Sequence, residues 1–174
     1  MAAEMSPSVP FLKNPSYPEG MVGDVRFDPL GLSENFDMKW LREAELKHGR
    51  VCMLACLGYV VQEFVHLPGE MHQNPNPIAA VADVGPEAML QLIFGVGFIE
   101  WGMNKGKMTS LSMFEDAKRV PGDYNFDPMG MMEEGDPNEY ALKEITHGRL
   151  AMIAFSGMIQ QSLITDAGLF GHSL

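Results

Sequence analysis

The chain has 174 residues, with 12 Lys and Arg against 23 Asp and Glu and a formal net charge of −11. That length suits one domain, and the acidic excess excludes nucleic acid as a partner, because no basic stripe remains to neutralise phosphates. A mean hydropathy of −0.04 would suit a soluble globule, but a whole-chain mean is blind to how the charges are distributed.

Residues 1–35 carry Pro7, Pro10, Pro15, Pro18 and Pro29 and predict an extended arm over the surface. Met1 to Tyr17 has neither the apolar core of a signal peptide nor the pattern of a transit peptide, so for an organellar protein the sequence reads as a processed form. Regular structure is expected from near Glu34, with a first helix over about 36–66 whose stretch Val51 to Val65 holds one charge, Glu63. Cys52 and Cys56 share one face of it and read as small buried residues, poorly placed to bridge each other. Pro68, Pro75, Pro77 and Pro86 make 67–87 a loop, and His66 at its edge and His72 within it read as ordinary loop residues. A second helix is expected over about 88–104, a loop over 105–137, a third helix over about 138–165, and a short amphipathic tail over 166–174.

Each apolar run is short for a bilayer, which needs about 20 residues. The first and third reach that length only if their charged first turns enter the membrane. The cations favour this: none of the twelve falls in 51–104 or 150–174. Spans near 46–66, 88–104 and 145–165 put all of them on, or at the membrane edge of, one side, as the positive-inside rule requires. The fold expected is an all-α membrane protein with three transmembrane helices and a single domain over 1–174.

The chain also repeats itself. Gly23-Asp24-Val25-Arg26-Phe27-Asp28-Pro29-Leu30-Gly31 returns from position 122, a displacement of 99, as Gly122-Asp123-Tyr124-Asn125-Phe126-Asp127-Pro128-Met129-Gly130. Glu45, His48, Gly49, Arg50, Gly58 and Gln62 return at the same displacement as Glu144, His147, Gly148, Arg149, Gly157 and Gln161. A duplicated loop-plus-helix unit implies first and third helices crossed about a pseudo-two-fold axis, with the second outside the symmetry. Gly58 and Gly157 are expected near the crossing, where small residues let backbones approach.

Each repeat carries Glu-x-x-His-Gly-Arg. Glu and His at i, i+3 share a helix face, and an unpaired charge so deep is costly, so the two-fold relation pairs Glu45 with Arg149 and Glu144 with Arg50. Three readings of this set follow. The pairs merely lock the helices; or the Glu-x-x-His motifs build a di-iron carboxylate site, which wants four helices and no cation beside the metals; or separate side chains each supply one axial ligand to an apolar, planar metal macrocycle.

The two Phe-Asp-Pro-x-Gly loops at 27–31 and 126–130, each followed by Glu-x-x-His-Gly-Arg, make the sequence resemble the light-harvesting chlorophyll a/b-binding superfamily over nearly its whole length. Within it the chain looks most like the fucoxanthin or peridinin chlorophyll a/c-binding antenna proteins of algae: His147 stands where land-plant antennae have Asn, and Gln91 and Glu100 are nine apart. The resemblance implies Glu45, His48, Glu144, His147, Glu100 and Gln161 as axial ligands of chlorophyll magnesium, with Gln91, Gln62 and His172 as further pigment-binding candidates. It gives Arg50 and Arg149 the structural ion pairs, and implies carotenoid end groups near Asp28 and Asp127, which by themselves are turn formers. The implied cofactors are chlorophyll a, chlorophyll c, carotenoids of peridinin or fucoxanthin and diadinoxanthin type, and bound lipid. The implied role is a non-enzymatic antenna in the plastid thylakoid membrane, N-terminus stromal and C-terminus lumenal, passing excitation to a photosystem, with photosystem I favoured. Its partners would be a photosystem core, neighbouring antenna subunits and thylakoid lipids. A photoprotective, energy-dissipating member shares every ligand and is the nearest rival; a di-iron protein and a pigment-free structural membrane protein are more distant ones.

Overall fold

A computed structural model describes residues 5–18, 20–66, 68–69, 73–74, 76–116, 118–128, 130, 132 and 135–170. The chain is mostly helical. Among the described residues the helices are α1 Leu32–Asn35, α2 Met38–Phe64, α3 Pro77–Val84, α4 Pro86–Met103, α5 Ser110–Met113 and α6 Pro137–Thr165. Among the described residues the only β-pairing is a single bridge between Met5 and Lys13.

The ends of these helices follow from local chemistry. Asp37 accepts the Lys39 N–H at 2.8 Å and Asp136 accepts the Asn138 N–H at 2.9 Å; each carboxylate satisfies a donor that the first turn would leave orphaned. Asp37 and Asp136 are themselves 99 apart, so the caps belong to the repeat. The expected loop over 67–87 needs correction, because it contains α3. Asn76 caps α3 by accepting the Ile78 N–H at 3.1 Å, and Pro77 occupies its first position, where the missing N–H costs nothing. Prolines that look like breakers in sequence are here helix starters. Gly85, at φ 85°, ends α3, and α4 leaves at 98° to it.

No single helix among the described residues is long and apolar enough to cross a membrane, whereas α3 and α4 together, as a bent pair, have the length and composition. In α2 the reason is charge: Lys39, Arg42, Glu43, Glu45, Lys47 and Arg50 fill its first half.

The chain divides into two compact units, Met1–Gly49 with Thr109–Gly148, and Arg50–Met108 with Arg149–Leu174. In the first unit α2 and α6 approach backbone to backbone at Gly49 and Gly148. A Cβ on Gly49 would lie 3.0 Å from the Gly148 Cα, and one on Gly148 3.1 Å from the Gly49 Cα. This corrects the expected crossing point, since a Cβ on Gly58 or Gly157 would meet nothing within 4 Å. Leu46 and Ile145, another repeat pair, are buried in this unit. The repeat is also written in the loop backbone: φ is 71° and 78° at Gly23 and Gly122, 55° and 51° at Arg26 and Asn125, 63° and 67° at Gly31 and Gly130. Left-handed residues at three matched positions give both loops the same course.

In the second unit Tyr59 packs edge-on against Phe155, with ring centroids 6.3 Å apart, and donates its hydroxyl to Ser162. Glu63, the lone charge of its stretch, is buried and accepts the N–H groups of Leu169 and Phe170. Phe170 in turn packs on Phe64 at 5.3 Å, so one carboxylate and one ring pair fix the start of the tail.

Candidate functional site

His48 and His147 are exposed, and each places Nδ1 2.7 Å from the carbonyl four residues earlier, Ala44 for His48 and Lys143 for His147. A carbonyl only accepts, so Nδ1 donates in each ring and Nε2 is the atom left for a ligand. A carbonyl partner that fixes tautomer and ring orientation is the usual support of a histidine ligand. Further along α2 the side chains of Val51, Leu54 and Leu57 are exposed, as are Leu150 and Ile153 along α6.

Glu45 and Glu144 are half-buried. The Glu45 Oε2 lies 2.7 Å from Arg42 Nη1 on the same helix, and Arg42 Nη2 donates to the Val22 carbonyl at 2.6 Å. The expectation for Glu45 named Arg149 alone and missed Arg42, because an Arg three residues from a Glu in a charged first turn reads as a solvated pair.

Its neighbour Glu43, 2% exposed, is the main polar anchor of the first unit. It accepts the Gly122 N–H at 2.6 Å and the Tyr124 hydroxyl, and lies 3.6 Å from Lys47 Nζ and 3.8 Å from Arg119 Nη2. Burial, then the hydrogen bond to the Glu43 carboxylate, pushes the Tyr124 hydroxyl above its ordinary value. The first loop has its own anchor. Arg26 lies 3.2 Å from Asp24 and over the Tyr17 ring, and Tyr17 donates to Asp24 at 2.7 Å. Burial and this bond push Tyr17 up to about 12. Burial would raise Asp24, but the Arg26 N–H, the Tyr17 hydroxyl and the Arg26 charge outweigh it and hold the carboxyl below the usual range.

On α4, Gln91 is exposed and Glu100 half-buried. Asn104, 1% exposed, donates Nδ2 to the Glu100 Oε2 at 3.1 Å and to its carbonyl at 2.9 Å. It thus caps the helix and orients the carboxylate together; the i, i+4 spacing was the available sequence signal. Gln161 donates Nε2 to the Leu169 carbonyl at 3.4 Å, which commits its amide nitrogen and leaves its oxygen as the donor atom. Gln62 is half-buried. Asp28 accepts from Leu32 N–H, Ser33 N–H and the Ser33 hydroxyl, and Asp127 from Met132 N–H; both serve as turn acceptors. Phe27 and Phe126 beside them are exposed. His172 lies outside the described residues.

The donor set decides what can bind. Among the described residues no three His, Cys, Asp or Glu side chains converge, so a di-iron cage has no counterpart there. What remains is a series of single donors, with exposed apolar side chains further along the same helices, which fits metals that bring their own macrocycle and take one axial ligand.

The sequence pattern of chlorophyll a-b binding proteins matches residues 14–163. The chain belongs to that family. This chlorophyll-binding chain is 34% identical over 170 residues to a fucoxanthin-chlorophyll a-c binding protein of Chattonella marina var. antiqua, covering 91% of this chain and 75% of that one. It is 32% identical to light-harvesting complex stress-related protein 1 of Chlamydomonas reinhardtii, covering 86% and 64%. It is 30% identical to photosystem I chlorophyll a/b-binding protein 5 of Arabidopsis thaliana, covering 97% and 74%. All three relatives are chloroplastic. Members of this family are light-harvesting pigment-binding proteins and not enzymes.

Proposed function

We propose that this member of the family is an antenna subunit of the thylakoid membrane, holding chlorophyll a, chlorophyll c and carotenoids of the fucoxanthin or peridinin type. Bound chlorophyll supplies light absorption and excitation transfer; the protein fixes position, orientation and surroundings. His48, His147, Glu45, Glu144, Glu100 and Gln161 each offer one axial ligand, with Gln91, Gln62 and His172 as further donors. Carotenoid end groups lie by Phe27-Asp28 and Phe126-Asp127. The observation that carries this reading is the matched pair of exposed histidines, each with Nδ1 2.7 Å from a backbone carbonyl, which leaves Nε2 as the ring's ligand atom.

In this proposal α2, α4 and α6 span the bilayer, the arm is stromal and the C-terminus lumenal. The cation-free stretches 51–104 and 150–174 support that orientation. Glu45 with Arg149 and Glu144 with Arg50 form reciprocal pairs that allow charged first turns to enter the membrane edge. Excitation passes to a photosystem, with photosystem I favoured by the name of the Arabidopsis relative. The name of the Chlamydomonas relative favours a second reading, energy dissipation under stress; a fluorescence lifetime that shortens on acidification of the complex supports it, and a constant lifetime supports harvesting.

The test is pigment reconstitution of the full chain. His48→Leu and His147→Leu should each lose about one chlorophyll per protein, the loss of a single axial ligand, with the remaining bands intact. Unchanged chlorophyll content in both variants refutes the assignment.

A further inference from the structure

The internal repeat makes the two ligand carboxylates look equivalent, and their surroundings are not. Glu45 has a guanidinium on its own helix, with Arg42 Nη1 at 2.7 Å from Oε2. The residue at the matching place before Glu144 is Ala141, 99 positions on from Arg42, and it has no charge to offer. The Arg42 side chain is 11% exposed and that of Glu45 29%, so the pair sits largely out of water. There a charge-assisted hydrogen bond is stronger than on an open surface. The other arm of the guanidinium is committed as well, donating to the Val22 carbonyl at 2.6 Å. A planar fork held at both ends has little freedom to swing away, and the Glu45 rotamer is held with it.

We propose that Arg42 is a positioning residue for the Glu45 carboxylate, so that the two repeat-related sites are held differently, the first with a local arginine where the second has Ala141. This rests on the reading of Glu45 and Glu144 as chlorophyll ligands. A carboxylate with a counter-charge on its own helix is held at short range, and Ala141 puts no arginine at the matching place before Glu144. The carboxylate has two oxygens and about four lone-pair sites, so accepting from Arg42 at Oε2 leaves capacity for a magnesium ion.

The experiment reconstitutes the full chain with one mixture of chlorophyll a, chlorophyll c and carotenoids, and reads chlorophyll per protein, absorption and visible circular dichroism. Glu45→Ala comes first and should remove about one chlorophyll, giving a difference spectrum that marks the site; unchanged content there overturns the ligand reading itself. Arg42→Gln should shift or bleach that same band and leave the others in place, and Arg42→Lys should restore it in part, since an ammonium keeps the charge without the fork. An Arg42→Gln protein that melts earlier but keeps the band unmoved overturns the proposal and leaves Arg42 a plain structural tie to Val22. In a Glu45→Gln background the ligand is neutral and needs no counter-ion, so adding Arg42→Gln should leave the band where Glu45→Gln put it; a further shift there also overturns the proposal.

Discussion

Removing the Glu43 carboxylate should loosen the second loop more than any other single change in the first unit. Two of its bonds, from the Gly122 N–H at 2.6 Å and from the Tyr124 hydroxyl, are hydrogen bonds to a charged acceptor, worth about 1.5–3 kcal/mol each. The contacts with Lys47 at 3.6 Å and Arg119 at 3.8 Å add little, because those side chains are 26% and 18% exposed and solvent screens them, leaving roughly 0–1 kcal/mol apiece. Glu43→Ala strips all four from cations and donors held in place around it, for a cost of about 3–5 kcal/mol. In a chain of this size that lowers the melting temperature by roughly 10 °C. Glu43→Gln keeps one acceptor and should cost about half as much. Thermal melting of the pigment complex, followed by visible circular dichroism, reads both. Tyr124→Phe should be costly alone and nearly silent on top of Glu43→Ala, since its partner is already gone. Melting curves for Glu43→Ala that overlay the parent protein, or full additivity with Tyr124→Phe, would refute the reasoning.

Gly49→Ala places a methyl 3.0 Å from the Gly148 Cα, where the neighbour is backbone and cannot turn aside, so stability should fall by about 1–3 kcal/mol. Gly58→Ala meets nothing within 4 Å and should be neutral or slightly stabilising; melting the two side by side checks where the helices meet. Stability should also fall in alkali. Tyr17 is pushed up to about 12 in the folded protein, against roughly 10 when unfolded. Its contribution is therefore complete below about pH 10 and lost as pH climbs through the folded value. Asp24 is shifted down, so its contribution is complete above the unfolded value near pH 4 and lost as pH falls through the folded one. Tyr17→Phe should remove the Tyr17 part of the alkaline loss, and an unchanged pH profile contradicts the assignment.

The repeat was legible in the sequence because it is a matter of identity at fixed spacing, and the loops confirm it with matched left-handed residues at Gly23 and Gly122, Arg26 and Asn125, Gly31 and Gly130. The place where the helices touch was not legible. Gly49, Gly58, Gly148 and Gly157 are alike as letters, and only the backbone course shows that the first and third of them meet. The helix α3 escaped notice because a proline at a first helical position and a proline in a loop look identical until the cap, here Asn76, is recognised. Arg42, Glu43, Glu63 and Asn104 escaped for a common reason. Polar residues near helix ends are usually solvated, and what marks these four is a specific partner, far along the chain for Glu43 and Glu63 and one turn away for Arg42 and Asn104. The candidate ligands were named from a family pattern; the structure adds the carbonyl contacts that set the histidine tautomers.

Two adjacent residues, Arg42 and Glu43, hold a carbonyl just before the first loop and the opening N–H of the second. Their counterparts, Ala141 and Leu142, can do neither. Duplication left two copies of a unit, and these two contacts come from one of them. A chain assembled from two second halves would therefore lack both fasteners, whereas one assembled from two first halves would carry them twice. The loops repeat one another, while the two side chains that hold them at these points come from the first copy.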